Sequence, residues 1–290
     1  MTRRSLAHFR KRSAVCGALL LVAAGRLTGA PSAAAVSTFD SCIQGVEARL
    51  ARQHLSPDSF LAAYSDSEPE SADRRLRRGE PIIEKLTTST TSGLSGAMLH
   101  QWRGTAFAPA AKSVDFERLL RDVGSYPQTF SPQVLQAWAS ANAGDRMQLW
   151  MRIRQKHAIT VVLDTAYDVA FGQLDAQHGY SISRSTRIDE IGSPGTSAER
   201  PLNADEEHGF LWRLNSYWSW EERDAGLYMQ IENVSLTRSV PFGLGWAIRP
   251  YVESIPRESL EFTLRSVLNA LSGSGGSGNS GVAHLERTER

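Results

Sequence analysis

The chain has 290 residues, 41% hydrophobic and 22% charged, with 32 basic and 31 acidic side chains. That length and composition suit one or two globular domains with a sizeable core. Two cysteines are too few for a disulfide-stapled fold, and so balanced a charge is a poor basis for binding a phosphate backbone.

Residues 1–35 have the anatomy of a secretory signal peptide, the alternative being an uncleaved amphipathic anchor. Arg3, Arg4, Arg10, Lys11 and Arg12 form a basic region without an acid, and Ala14 to Ala24 is an apolar run of 11 residues, too short to span a bilayer comfortably. Small residues follow at Ala30, Ser32, Ala33, Ala34 and Ala35, with cleavage expected after Ala33 or Ala35. "TRRSL" also loosely resembles a twin-arginine export signal. Removal of this segment takes away six basic groups and no acid, so the formal charge falls from +1 to −5. Nucleic acid is thereby an unfavoured partner. Cys16 leaves with the signal, and Cys42 remains as a buried thiol on the apolar side of a helix. The expected location is periplasmic or extracellular.

Phe39 to His54 reads as that helix, because Ile43, Val46 and Leu50 recur at three- and four-residue spacing. Residues 65–79 are rich in Ser, Asp, Glu and Arg and read as a solvated linker or irregular helix. From Glu80 the period changes to two. Ile82 to Thr87 and Ala97 to Phe107 are strands, and Val114 to Val123 is a helix stopped by Gly124 and Pro127. Strands follow at Met147 to Arg154, Ile159 to Val169 and Tyr180 to Ile188, then a loop over 192–209. Phe210 to Glu222 and Leu227 to Thr237 form a hairpin around Asp224-Ala225-Gly226. Pro256 to Leu271 is a helix with Leu260, Leu264, Val267, Leu268 and Leu271 along one stripe. Past Ser272 the composition is that of a disordered tail.

Pairing Glu222 with Leu227 sets the hairpin register. Trp220 then opposes Met229, Trp218 opposes Ile231, Ser216 opposes Asn233, Leu214 opposes Ser235 and Trp212 opposes Thr237, all on one face. The other face carries Arg213, Asn215, Tyr217, Ser219 and Glu221 against Leu236, Val234, Glu232, Gln230 and Tyr228, and is the more polar. The tryptophans therefore look inward, toward a dry core or a cavity wall. Ser216, Asn233 and Ser235 on the same face favour the cavity, since each costs about 1–3 kcal/mol if buried unpaired. His100 shares a strand face with Met98, Trp102 and Ala106. Arg184 shares one with Tyr180 and Ile182, and is either an anion contact inside the cavity or an exposed surface group.

"FERLLRDVGSYPQTFSP", residues 116–132, together with the strand order and the terminal helix "PRESLEFTLRSVLNAL", resembles the START-related helix-grip superfamily. That superfamily includes Bet v 1-like, polyketide cyclase and coenzyme Q-binding-like proteins. The resemblance covers about residues 80–271 and implies a deep apolar cavity for a lipid, sterol, isoprenoid or aromatic polyketide. It leaves the helical segment at 39–64 without a role. The apolar connector Ser239 to Pro256 suits three roles: a packed loop sealing the core, a gate, or a patch at 242–251 that rests transiently on a membrane.

No metal-ligand spacing, phosphate loop or nucleophile elbow is present in the sequence, and no cofactor is expected. Glu206, Glu207 and His208 read as a solvated charge run. The expected fold is α+β: a helix-grip domain in which a curved antiparallel sheet of about seven strands surrounds a long C-terminal helix, preceded by an extra N-terminal helical segment. The expected domains are a signal peptide (1–35), the helical segment and linker (36–79), a START-like ligand-binding domain (80–271) and a tail (272–290). Candidate ligand-binding residues are Trp102, His100, Arg184, Trp212, Ser216, Trp218, Trp220, Met229, Ile231, Asn233 and Trp246; no residue is assigned a catalytic or metal-binding role. The expected activity is binding or carriage of a hydrophobic small molecule or lipid by a monomer. A cyclase- or hydratase-like enzyme and a structural domain with a filled core are the alternatives.

Overall fold

The computed structural model describes residues 29–64, 69–87, 94–156, 160–239 and 245–274, the side chains of 141–143, 245–253 and 274 excepted. Ala33–Gln53 forms helix α1 and Pro69–Arg77 forms α2. Strands β1 (Ile82–Lys85) and β2 (Ala97–Pro109) lead to α3 (Ser113–Arg121) and the single-turn α4 (Tyr126–Thr129). Then come β3 (Val134–Ala143), β4 (Arg146–Lys156), β5 (Thr160–Gln173), β6 (His178–Gly192) and the short β7 (Arg200–Pro201). The last elements are β8 (Arg213–Arg223), β9 (Gly226–Arg238) and α5 (Gly245–Ser274).

Every strand pairing is antiparallel, and the sheet runs β1-β2-β9-β8-β6-β5-β4-β3, with β7 on β6. Nine strands among the described residues exceed the seven expected, the additions being β3 and β7. The C-terminal helix also starts earlier than expected. Pro256 removes a helical N–H and reads as an N-terminal boundary, yet α5 carries it as an interior residue.

The inner face of the curved sheet holds α5. Leu260, Leu264, Val267 and Leu271 lie against Trp102, Ala106, Trp218, Trp220, Met229 and Ile231. Contact with β2 is close because Gly104 has no side chain: a Cβ there would lie 2.7 Å from Leu264 Cδ1 and 3.1 Å from Leu260 Cγ.

The N-terminal segment has a clear structural place, since it covers the outer face. Ala35, Phe39, Ile43, Val46 and Leu50 of α1 pack on Leu99, Tyr217, Val234 and Leu236, while Ala72 and Leu76 of α2 pack on Ile82, Phe107 and Tyr228. Each large aliphatic side chain so buried contributes about 1.5–3 kcal/mol. The outer face was expected to be polar, and its polar groups are indeed there, but they are buried and paired. Glu232 accepts from Arg49 Nη2 at 2.6 Å and from Gln101 Nε2 at 2.7 Å. Gln230 accepts from the Ala62 N–H at 2.9 Å and donates to its carbonyl at 3.1 Å. Ser219 Oγ lies 2.8 Å from His54 Nε2.

Both expected cleavage positions fall in the first turn of α1. Ser32 Oγ accepts from the Ala35 N–H at 3.1 Å as the helix cap, and the Trp212 indole donates to the Gly29 carbonyl at 2.7 Å. Gly29 and Ala35 are thus buried against the domain, while Ala30, Ser32, Ala33 and Ala34 are exposed.

Candidate functional site

Between α5 and the inner face lies a cavity of about 190 Å³. Its wall follows from strand alternation. Met147, Leu149, Met151 and Ile153 of β4 and Tyr167, Val169 and Phe171 of β5 supply the apolar side. Ser181 and Ser183 of β6, Leu214, Ser216 and Trp218 of β8, and Ile231 and Asn233 of β9 supply a mixed floor. Ser259, Phe262 and Thr263 of α5 form the opposite side.

One end is closed. Leu120 of α3 and Tyr126 of α4 line it, and behind them Phe116 meets Trp218 and Trp220 edge-on, each at 5.1 Å between ring centroids. Tyr126 is locked by donating its hydroxyl to the Leu120 carbonyl at 2.6 Å. The other end carries Gln133, Arg154 and Gln155, with Leu211 beside them; Arg154 is exposed and forms the charged rim.

Electrostatically the interior is neutral. Burial raises the Tyr167 phenol to about 12, partly offset by its hydrogen bond with Thr165, and burial likewise pushes Tyr126 upward. Both stay protonated at physiological pH, so they offer hydrogen bonds and ring faces. Two polar atoms, Asn233 Oδ1 and Trp102 Nε1, are buried without a hydrogen-bond partner among the described residues.

Of the sequence candidates, Ser216, Trp218, Ile231 and Asn233 line the cavity. Trp220 and Met229 share the inner face but sit in filled core at its closed end, with the Trp220 indole donating to Ser113 Oγ at 2.8 Å. Trp102 is in the core beneath α5, one strand beyond Asn233. His100 faces the same way but is occupied near the opposite end, with Nε2 3.2 Å from Thr237 Oγ1.

Two placements are corrected. Trp212 lies just before β8, outside the strand's alternation, and its indole packs on the outer face with α1, lying against the bare Gly209 backbone. Arg184 also points outward, pairing with Glu47 of α1 at 2.6 Å and 2.8 Å. The inward side chains of that half of β6 are the alternate ones, Ser181 and Ser183. The side chain of Trp246 and the segment 242–244 lie outside the described residues.

Several lining residues are absent from the sequence candidates, namely Tyr126, Phe130, Tyr167, Ser181, Ser183 and Phe262. The alternation that put Met147, Leu149, Met151 and Ile153 on one strand face, and Tyr167 and Val169 on the next, was the available signal for part of this wall.

The connectivity decides the architecture: an edge strand pair, short helices after β2, an unbroken antiparallel run, and a last helix clasped by the sheet. This is a helix-grip fold. No family model matches the sequence, and no curated protein matches it. Solved structures do. An aromatase/cyclase from Streptomyces sp. R1128 has a TM-score of 0.45 at 10% identity, over 63% of this chain and 99% of that one. A STAR-related lipid transfer protein from Xanthomonas axonopodis gives 0.39 at 16%, over 64% and 98%. A START superfamily protein from Mycobacterium smegmatis gives 0.40 at 13%, over 60% and 98%. In this chain α1 and α2 cover the sheet's outer face.

Proposed function

We propose that this helix-grip protein is an exported binding protein that holds or carries a hydrophobic small molecule or lipid in the cavity under α5. One observation carries the reading: an apolar hollow opens at a polar rim and reaches inward to a buried Asn233 oxygen that no group among the described residues satisfies. A filled core would not have left the space. The lining supports binding over a cyclase- or hydratase-like reaction, because its titratable interior groups are phenols held protonated. Export rests on the basic region and apolar run of the first 35 residues.

The test is native mass spectrometry of protein recovered gently from the exported fraction, followed by organic extraction. A non-covalent adduct that is lost on activation and recovered as an apolar compound is expected. No adduct, and no binding across a sterol, quinone and fatty-acid panel, would sink the carrier reading.

A further inference from the structure

The sheet register sets four polar side chains in one row across the inner face. Trp102 of β2 pairs with Asn233 of β9, Asn233 with Ser216 of β8, and Ser216 with Ser183 of β6. Directly opposed residues on neighbouring strands have Cβ atoms roughly 4.5–5.5 Å apart, so adjacent members of this row are within reach of one small group. The rows on the closed side are apolar or glycine where this one is polar: Gly104, Ile231 and Trp218, then Ala106, Met229 and Trp220. On the closed side the polar row therefore borders a greasier wall, broken by Ser181 opposite Trp218, while on the rim side His100 and Ser235 continue the polarity.

Within the row, Asn233 Oδ1 is a buried acceptor without a donor among the described residues, on a side chain that lines the cavity, whereas Trp102 belongs to the core under α5. Ser216 and Ser183 add hydroxyls that rotate to give or take a hydrogen bond. A ketone leaves the amide oxygen stranded, whereas a hydroxyl donates to it and accepts from a neighbouring serine. A carboxylate or phosphate would meet Asn233 Oδ1 oxygen to oxygen and would be desolvated without a counter-charge. Among the described residues the charged group on the lining is Arg154, at the exposed rim, and the nearby Lys85 ammonium lies 6.0 Å from the Trp102 ring centroid, outside the lining.

The geometry points to a neutral ligand with an alcohol or phenol hydroxyl, bound hydroxyl-first against Asn233, Ser216 and Ser183, its apolar body lying along β4 and β5. This rests on the binding reading above and narrows its ligand class. The space sets the size: about 190 Å³ is below the roughly 300–1,000 Å³ of drug-sized pockets, so the body is a small ring system or short chain and not a diacyl lipid.

The test uses matched probes on the full chain: 2-naphthol, naphthalene and 2-naphthoate, followed by quenching of tryptophan fluorescence and by calorimetry. The expected order is 2-naphthol first, by roughly tenfold or more over both others, the size of one or two hydrogen bonds. Asn233→Leu removes the stranded acceptor, so it should fold, lose that preference, and keep or improve naphthalene binding. Ser216→Ala, a smaller change, should lose part of the preference and guards against misfolding of the first variant. Equal affinity for 2-naphthol and naphthalene, or tighter 2-naphthoate, overturns the hydroxyl assignment while leaving a binding cavity. Failure of all three probes overturns this ligand assignment; the binding reading falls only if the extraction and the sterol, quinone and fatty-acid panel fail as well.

Discussion

Arg49 of α1 and Glu232 of β9 are joined through Nη2, 2.7 Å from Oε1 and 2.6 Å from Oε2, across the outer face of the sheet. Glu232 is 3% exposed, whereas Arg49 is 34% exposed, so the carboxylate depends on this partner while the guanidinium still touches water. Arg49→Met strands the buried charge. It should cost ~3 kcal/mol, the low end for breaking a buried pair because one partner is screened. The double variant Arg49→Met, Glu232→Gln should recover much of that loss. Urea denaturation of the four proteins in the cycle measures the coupling, and a single variant within ~0.5 kcal/mol of wild type would mean that the pair does not anchor α1.

The same pair shows what local sequence can reveal. The β8–β9 hairpin was legible to the residue: Glu222 with Leu227, Trp220 with Met229, Trp218 with Ile231, Ser216 with Asn233 and Leu214 with Ser235 all pair as the alternation requires. Asp224 and Ala225 at φ +54° and +58° make the turn. Glu232, Gln230 and Ser219 read only as members of the more polar face because their partners lie far away in sequence, on α1 and the segment after it; a period-two pattern marks polarity, not coverage. Strand β3 escaped for another reason. It is an edge strand with register shifts at Val134/Gln136 and Ser140/Asn142, which break the alternation, and Trp138 lies exposed on it, stacked on Trp150 at 3.5 Å. The cavity was legible only as inward polar residues on the hairpin. Its α5 and α4 walls depend on how the helix lies, which no strand period encodes.

His54, just past α1, is a pH-sensitive element of that outer cover. Its ring stacks on Tyr180 at 4.3 Å and leans on Phe60 at 4.7 Å. Burial, and then the positive charge of Arg49, lower its pKa from 6.5 to about 4. The folded state therefore resists a proton that the unfolded chain accepts near 6.5. The stabilising contribution is complete above that pH and is lost as pH falls toward 4. His54→Gln should flatten part of the decline in denaturation midpoint between pH 7 and pH 5. Parallel curves for wild type and variant would remove His54 as the cause.

Thr263 is the place to separate a cavity from a packed core. It is half-buried on α5, faces the cavity beside Phe262, and makes only a local bond from its hydroxyl to the Ser259 carbonyl, 2.9 Å. In a solid interior Thr263→Trp would overpack and cost about 1–3 kcal/mol. Where space is open, the indole instead gains dispersion contacts that the void withholds, and the melting temperature should hold or rise. The ligand's room would be gone, so 2-naphthol binding should weaken by roughly tenfold or more. Thermal denaturation and fluorescence titration of one preparation read both quantities. A lowered melting temperature with binding intact would place the binding site somewhere other than under α5.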